Sequence, residues 1–324
     1  MPRVLILTDG KAGHENQSRA FAMSIGCEAE VLPVRFRFKG AKALSYLLDR
    51  LGAASTALLS PPPGGLPARG RFDAVIGTGS GVFYAAKAIA RRLGVPCGVV
   101  LYPRGYSLRG FGCILAPSFD RPAARANVVP VPVNLTSADA AFYASATKEF
   151  LKRHPAPRKP AAAVILGGPN KIAGMDAAWA RAQLERVFAE TEGCERWITT
   201  SRRTPPEVEA VVDSFPFDWK LVYSRDRFNP IPAFVSLASR LFVSAESTGM
   251  LSEAVTFGKS AVSILDNLGR GKSKFHRFVA GLVEAGAASI FAPGAPVCSK
   301  KIDLSPQFAR AAGLLRLRQP AGEA

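Results

Sequence analysis

Three stretches of the chain carry residues that could do chemistry. The first is Asp9-Gly10-Lys11-Ala12-Gly13-His14-Glu15-Asn16-Gln17, which holds one of three histidines and the only one beside a glycine-rich strand end. An imidazole there could serve as a general base or could cap a helix, and Asp9 is the alternative base if the histidine is structural. Lys11, His14 and Gln17 fall on the loop and the first turns of one helix face. Gly10 and Gly13 permit close backbone approach. Their spacing is neither G-x-G-x-x-G nor a Walker loop, since no G-K-[ST] follows, so a dinucleotide or triphosphate site is poorly supported. The second stretch, 241–265, reads as a buried strand, a small-residue turn, a short helix from about 250 to 257 and another buried strand. Ser247, Thr248 and Gly249 precede that helix, whose amino end, with Met250, would face a phosphate. Glu253, expected in the first turn, could accept hydrogen bonds from a ribose or merely favour the helix dipole. The third is Thr200-Ser201-Arg202-Arg203, two arginines at a strand end that suit bidentate binding of a diphosphate.

Other loops join these. Gly167-Gly168-Pro169-Asn170-Lys171 follows the apolar run 161–166, Thr78-Gly79-Ser80-Gly81 follows 73–77, and Gly269-Arg270-Gly271-Lys272-Ser273-Lys274 is a basic glycine loop. Each half of the chain therefore repeats strand, small-residue loop and helix, the rhythm of a parallel sheet. In the first half the strands are expected at 4–8, 28–34, 73–77, 97–102, 114–117 and 128–131, with helices at 18–25, 82–93 and 138–153. In the second half strands are expected at 161–166, 196–200, 220–223, 241–244 and 261–265. Helices there are expected at 176–189, from Thr204 as cap through 212, after Asn229-Pro230, at 275–285 and at 308–317. The proline-rich segment 154–160 is the expected boundary and 60–70 a surface loop. Domains are thus expected at 1–154 and 161–300, with a tail helix in 301–324 packing across the junction.

The chain has 324 residues, enough for two domains, with 48% hydrophobic residues and a net charge of +17. Residues 1–154 hold 20 Lys+Arg against 9 Asp+Glu, hence +11, which leaves 22 against 16, hence +6, for the remainder. Such a surface suits nucleic acid, anionic lipid or a phosphorylated substrate. In Arg35-Phe36-Arg37-Phe38-Lys39 cations alternate with aromatics ahead of a stripe of Leu44, Leu47, Leu48 and Leu51, which suits an anionic membrane surface or lipid-linked acceptor and would also suit an RNA backbone. Cys27, Cys97, Cys113, Cys194 and Cys298 show no metal-type spacing and read as reduced core thiols. The opening apolar run is too short for a signal peptide, and no run approaches the ~18 residues of a membrane span. The expected place is the cytosol, resting on the inner face of the cytoplasmic membrane.

TDGKAGHENQS, LGGPNK, TTSRRTP and the S-x-x-M-x-S-E-A-x-x-x-G-K run from Ser247 to Lys259 resemble, over nearly the whole chain, the bacterial branch of the mitochondrial fission Elm-one family. The resemblance implies a glycosyltransferase of the GT-B type: α/β, two Rossmann-like domains facing a cleft, some relatives being assigned to lipooligosaccharide outer-core assembly. The stretch around Ser247 is similar, more loosely, to the donor-site helix of the peptidoglycan UDP-N-acetylglucosamine transferase. By that resemblance Glu253 holds the nucleotide ribose and His14 sits near the reacting atoms. The relatives tend to have an aspartate-serine pair where this chain has Glu246-Ser247-Thr248-Gly249.

The reading that results is a hexosyl- or N-acetylhexosaminyl-transferring enzyme. Its donor is a nucleotide-diphosphate sugar on the second domain, with Gly167, Gly168, Asn170, Lys171, Thr200 to Arg203, Ser247 to Met250, Glu253 and Lys274 as binding residues. Gly10, Lys11, Gly13, Gln17, Gly79 and Ser80 would hold the acceptor beside His14. No D-x-D pair occurs, so neither a metal nor any other cofactor is expected. The rival from another class is a non-catalytic interaction protein that keeps the fold. A nucleotide-sugar epimerase is set aside because it would need a dinucleotide and a Tyr-x-x-x-Lys pair, which the sequence lacks.

Overall fold

Runs of apolar residues four to six long, each closed by glycine or a small polar residue, fold into strands buried on both faces, with helices on either side. The computed structural model describes residues 1–62, 64–136, 139–292 and 294–317. Two compact units divide the chain, the first comprising Met1–Ser137 with Leu304–Ala324, the second Ala138–Asp303.

The first unit contains β1 (Arg3–Thr8), α1 (Ala12–Ser24), β2 (Glu28–Pro33), α2 (Ala41–Arg50), β3 (Ala74–Thr78), α3 (Phe83–Leu93), β4 (Cys97–Val100), β5 (Cys113–Pro117) and β6 (Val128–Val131). All pairings are parallel and the order is β2-β1-β3-β4-β5-β6. The chain leaves β1 in opposite directions toward β2 and β3, which opens a crevice at their carboxyl ends, the place where such sheets bind ligands. Leu7 pairs with Gly77, so Asp9 and Gly79, two residues further along each strand, come level at that crevice.

The second unit begins with α4 (Ala140–Arg153) and continues with β7 (Ala161–Ile165), α5 (Ala177–Glu190), β8 (Glu195–Thr199), α6 (Pro206–Ser214), β9 (Trp219–Leu221), α7 (Ile231–Leu237), β10 (Arg240–Ser244), α8 (Thr248–Thr256), β11 (Ala261–Leu265), α9 (Lys274–Glu284) and β12 (Ser289–Ile290). Its order is β12-β11-β10-β7-β8-β9, again all parallel, with the crevice between β7 and β10. Val243 pairs with Ile165, which brings Glu246 level with Gly168.

Several boundaries differ from expectation. The units part near residue 137, not at the 154–160 segment, because Tyr143 and Phe150 of α4 are buried in the second unit, where Tyr143 stacks on Phe257 and Phe150 packs on Trp197, Trp219 and Phe234. The last helix, α10 (Ser305–Leu314), belongs to the first unit: Ala311, Ala312 and Leu315 are buried there with Phe21, Cys113 and Val129. Of the expected tail, 318–324 lies outside the described residues, as do Pro63 of the expected 60–70 loop and Ala138 of the expected 138–153 helix. α1 starts six residues earlier than expected, since Gly10 turns the chain at φ +82° and the Lys11 carbonyl accepts the N–H groups of His14 and Glu15. Thr204 does not cap α6: Pro205 holds that position, and the Thr204 hydroxyl is spent on the Gly167 carbonyl instead. Burial pushes the Cys97 and Cys113 thiols up to about 12, consistent with core packing.

Candidate functional sites at two sheet crevices

In the first unit, the crevice is filled by an acid–imidazole pair. His14 Nδ1 lies 3.1 and 3.2 Å from the two carboxylate oxygens of Asp9, which also accepts the Lys11 N–H at 3.3 Å and has the Lys11 ammonium at 3.4 Å. Burial alone would raise the Asp9 carboxyl; the facing His14, with Lys11, outweighs it and holds the group below the ordinary carboxylate range. A carboxylate on Nδ1 fixes the proton there and leaves Nε2 as the basic nitrogen, which has no hydrogen bond among the described residues.

The β3 loop closes over this pair. Gly79 has φ +88°, and a Cβ on it would stand 2.6 Å from His14 Nδ1; one on Gly81 would stand 2.7 Å from Asp9 Oδ2. Both glycines are therefore required for close approach, a more specific reason than a generic phosphate loop. Ser18 and Thr78 share a buried hydrogen bond of 2.7 Å that ties α1 to β3, and the Lys42 ammonium donates to Ser80 at 3.1 Å. Gln17 Oε1 is buried without a partner. Gly13 is an ordinary helical residue with open space about its Cα. Thus Asp9, Lys11, His14, Gly79 and Ser80 come together with Gly81 of the same loop, and Lys42 joins them although nothing in its spacing marks it.

In the second unit, the crevice is occupied by Glu246. Its side chain is inaccessible to solvent and accepts hydrogen bonds from the Gly168 N–H at 2.8 Å, the Ser244 hydroxyl at 3.2 Å and the Asn267 amide at 2.8 Å. Arg203 reaches to 3.9 Å of it and donates to the Gly168 carbonyl at 3.0 Å. A Cβ on Gly167 would collide with Glu246 Oε1, and one on Gly168 with the Arg203 backbone, so these glycines serve the protein's own packing. Ser201 donates to the Gly167 carbonyl at 2.6 Å, and Thr200 is engaged with Glu209 and the Tyr223 N–H. The Asn170 carboxamide closes a turn on Ile172 and Ala173.

What remains outward is different. Arg202, Lys171 and Lys274 are exposed, and Arg202 and Lys171 make no hydrogen bond or ion pair among the described residues. Lys274 lies beside the Phe275 ring at the start of α9. Ser247, Thr248, Gly249 and Met250 form the amino end of α8, where Ser247 is the N-cap and its side chain makes no capping hydrogen bond. Glu253 is in the second turn, not the first, because α8 begins at Thr248. Burial pushes its carboxyl up to about 7, with the Tyr143 hydroxyl of α4 pulling the other way. That hydroxyl is buried and makes no hydrogen bond of proper geometry.

Sequence reasoning passed over Glu246, though a charged residue inside the buried run Leu241 to Ser247 was its signal. It also passed over Asn267 and Tyr143, which nothing in their local spacing marks.

Among solved structures, a Listeria monocytogenes protein described as a candidate UDP-N-acetylglucosamine 2-epimerase is similar at TM-score 0.51 and 10% identity, over 97% of this chain and 87% of that one. MurG of Acinetobacter baumannii gives 0.48 and 13%, over 99% and 96%. The E. coli ADP-heptose LPS heptosyltransferase II gives 0.44 and 9%, over 97% and 98%. The first speaks to the fold alone. No curated protein sequence matches the chain. A model of the family described as Mitochondrial fission ELM1 matches residues 12–317, and this protein, built of two Rossmann-like α/β units, belongs to that family.

Proposed function

We propose that the protein is a metal-independent glycosyltransferase that uses a nucleotide-diphosphate sugar. The observation that carries the reading is the Asp9–His14 pair at the crevice of the first sheet, with Nε2 free and two glycines packed against it. An imidazole oriented by a carboxylate is the arrangement that deprotonates a hydroxyl. His14 takes the proton of the acceptor hydroxyl as its oxygen bonds to the anomeric carbon, and the bond from that carbon to the diphosphate breaks with its electron pair leaving on the diphosphate. In the second unit the groups that would hold the leaving diphosphate are the amino end of α8 and the exposed Arg202, Lys171 and Lys274, while Glu246 and Arg203 hold the glycine turn in shape. Glu253, raised to about 7, would present a protonated or half-protonated carboxyl to a ribose hydroxyl.

Isothermal titration of UDP, GDP, ADP and CMP against the wild type and Arg202→Ala tests the donor site. One nucleotide diphosphate should bind, weakened on the order of tenfold in the variant, the loss of one charge-assisted contact. If none binds, the donor site is wrong and the non-catalytic reading takes its place. If a UDP-sugar binds and is converted to its epimer without an acceptor, the enzyme is an epimerase.

The acceptor is proposed to be a cell-envelope glycan or lipid-linked molecule, met at an anionic membrane surface. Support comes from α2 and the segment before it: Phe38, Leu47 and Leu51 are 52%, 56% and 73% exposed, and Arg35, Arg37, Lys39, Lys42 and Arg50 are exposed beside them. Among the described residues no helix is long and apolar enough to cross a membrane.

A further inference from the structure

A cavity of about 660 Å³ opens at the amino-terminal edge of the first sheet. It lies between the carboxyl ends of α2 and α3, the first residue of β4 and the 107–112 loop. Asp9, His14 and Gly79 sit at the opposite, carboxyl-terminal edge, a strand length of about 16 Å away.

Its floor is a buried ion pair. Lys87 Nζ lies 2.5 Å from Asp49 Oδ1, with side chains 6% and 3% exposed; the same ammonium donates to the Ser107 carbonyl at 2.7 Å, and Asp49 Oδ2 accepts the Ser107 N–H at 2.6 Å. The carboxylate is thereby neutralised and the loop pinned down. The wall carries three further cations, Arg50, Arg91 and Arg109, all exposed and none with a carboxylate partner among the described residues. Two helix carboxyl ends bring roughly −0.5 each, about −1 together, against three guanidiniums. The formal charge around the cavity is therefore about +2.

We propose that this cavity binds a phosphate-bearing small group carrying at least two negative charges. Guanidinium forks match phosphate oxygens, and the volume falls within the range of small-molecule sites. The group could be a free phosphate ester or the headgroup of a lipid, because Arg50 and Leu51 belong both to the cavity wall and to the exposed face of α2.

The test uses the full chain at low salt. Inorganic pyrophosphate is titrated into the wild type, Arg202→Ala and Arg91→Ala/Arg109→Ala, with circular dichroism checking that each is folded. In a second arm, vesicles of neutral lipid with phosphatidic acid are compared with vesicles of equal charge made with phosphatidylserine. The expected result is pyrophosphate binding that survives Arg202→Ala and falls at least tenfold in the double variant, which assigns a soluble ligand. A preference for phosphatidic acid lost only in the double variant assigns a headgroup. If the double variant matches the wild type in both arms, the proposal is overturned, and loss of pyrophosphate binding through Arg202→Ala alone would leave the donor site as the sole anion site.

Discussion

Gly79 has the most direct connection between one missing atom and the proposed chemistry. Gly79→Ala puts a methyl against the imidazole of His14 at a backbone φ of +88°, which alanine adopts at a cost of about 1 kcal/mol. The ring must turn away from Asp9. Turnover, followed as nucleotide diphosphate released from sugar donors that carry the nucleotide identified by titration, should drop on the order of 100-fold or more, the usual contribution of a general base, with melting within a few degrees of the wild type. Unchanged turnover would remove His14 from the mechanism. His14 could be picked out from the sequence because histidine is rare here and a glycine loop surrounds it; that Asp9 is its partner, not its substitute, depended on where α1 begins. Arg202 and Arg203 cannot be told apart as neighbours in sequence. The fold assigns Arg203 to the Gly168 carbonyl and leaves Arg202 outward. Glu246 was hidden for a related reason: local spacing pointed to the helix start, whereas its position opposite Gly168 comes from strands nearly eighty residues apart.

At the level of elements, strands were readable because a parallel sheet buries both faces and writes unbroken apolar runs. Helix faces were less so: the leucine stripe marked α2 as a surface helix, and Leu44, Leu47 and Leu51 do face out, but nothing in the spacing shows that Leu48 packs on the core or that the buried positions are Ala41, Ser45 and Asp49. Lys87 of α3 supplies the reason, drawing Asp49 inward, and Ser45 bonds to Tyr106. A helix so inverted, flanked by cations worth about 1 kcal/mol each near an anionic leaflet, should carry the protein onto vesicles. Sedimentation with anionic vesicles at low salt should exceed that with neutral ones, and Arg35→Glu with Arg37→Glu, or Leu47→Asp with Leu51→Asp, should abolish the difference; equal sedimentation of all three proteins would rule the surface out. α8 gives a second, pH-dependent prediction. Glu253 has an ordinary value of 4.5 and is raised to about 7 in the fold, so between those values the unfolded chain has lost a proton that the folded one keeps. Stability therefore falls as pH rises from 4.5 to 7, by up to about 3 kcal/mol at 1.36 kcal/mol per unit. Lys301, whose ammonium donates to the carbonyls of Ala254 and Ser260, is lowered by burial from 10.5 to about 8, so its contribution rises with pH between those values. Denaturant midpoints should pass through a minimum near pH 7 to 8, and Glu253→Gln should flatten the acid side of that well; a variant whose profile parallels the wild type would refute it.

The first unit is closed by a return of the chain. Leu315, fully buried, lies against the backbone of Gly98 and Gly112, where added Cβ atoms would stand 3.0 and 3.5 Å from its methyls. Leu315→Ala should cost about 2–5 kcal/mol. Amide exchange should quicken in β4 and β5 while β7 and β10 keep their protection; quickening throughout the chain would mean that the two units unfold as one. The same return orders events during synthesis. Residues 304–317 follow the 166 residues from Ala138 to Asp303 on the ribosome, a delay of roughly 10 to 30 s at the usual rate of translation, during which the first sheet waits with Phe21 and Cys113 uncovered. The half made first is thus the half that finishes last, and until α10 arrives its open side is the surface a chaperone would meet.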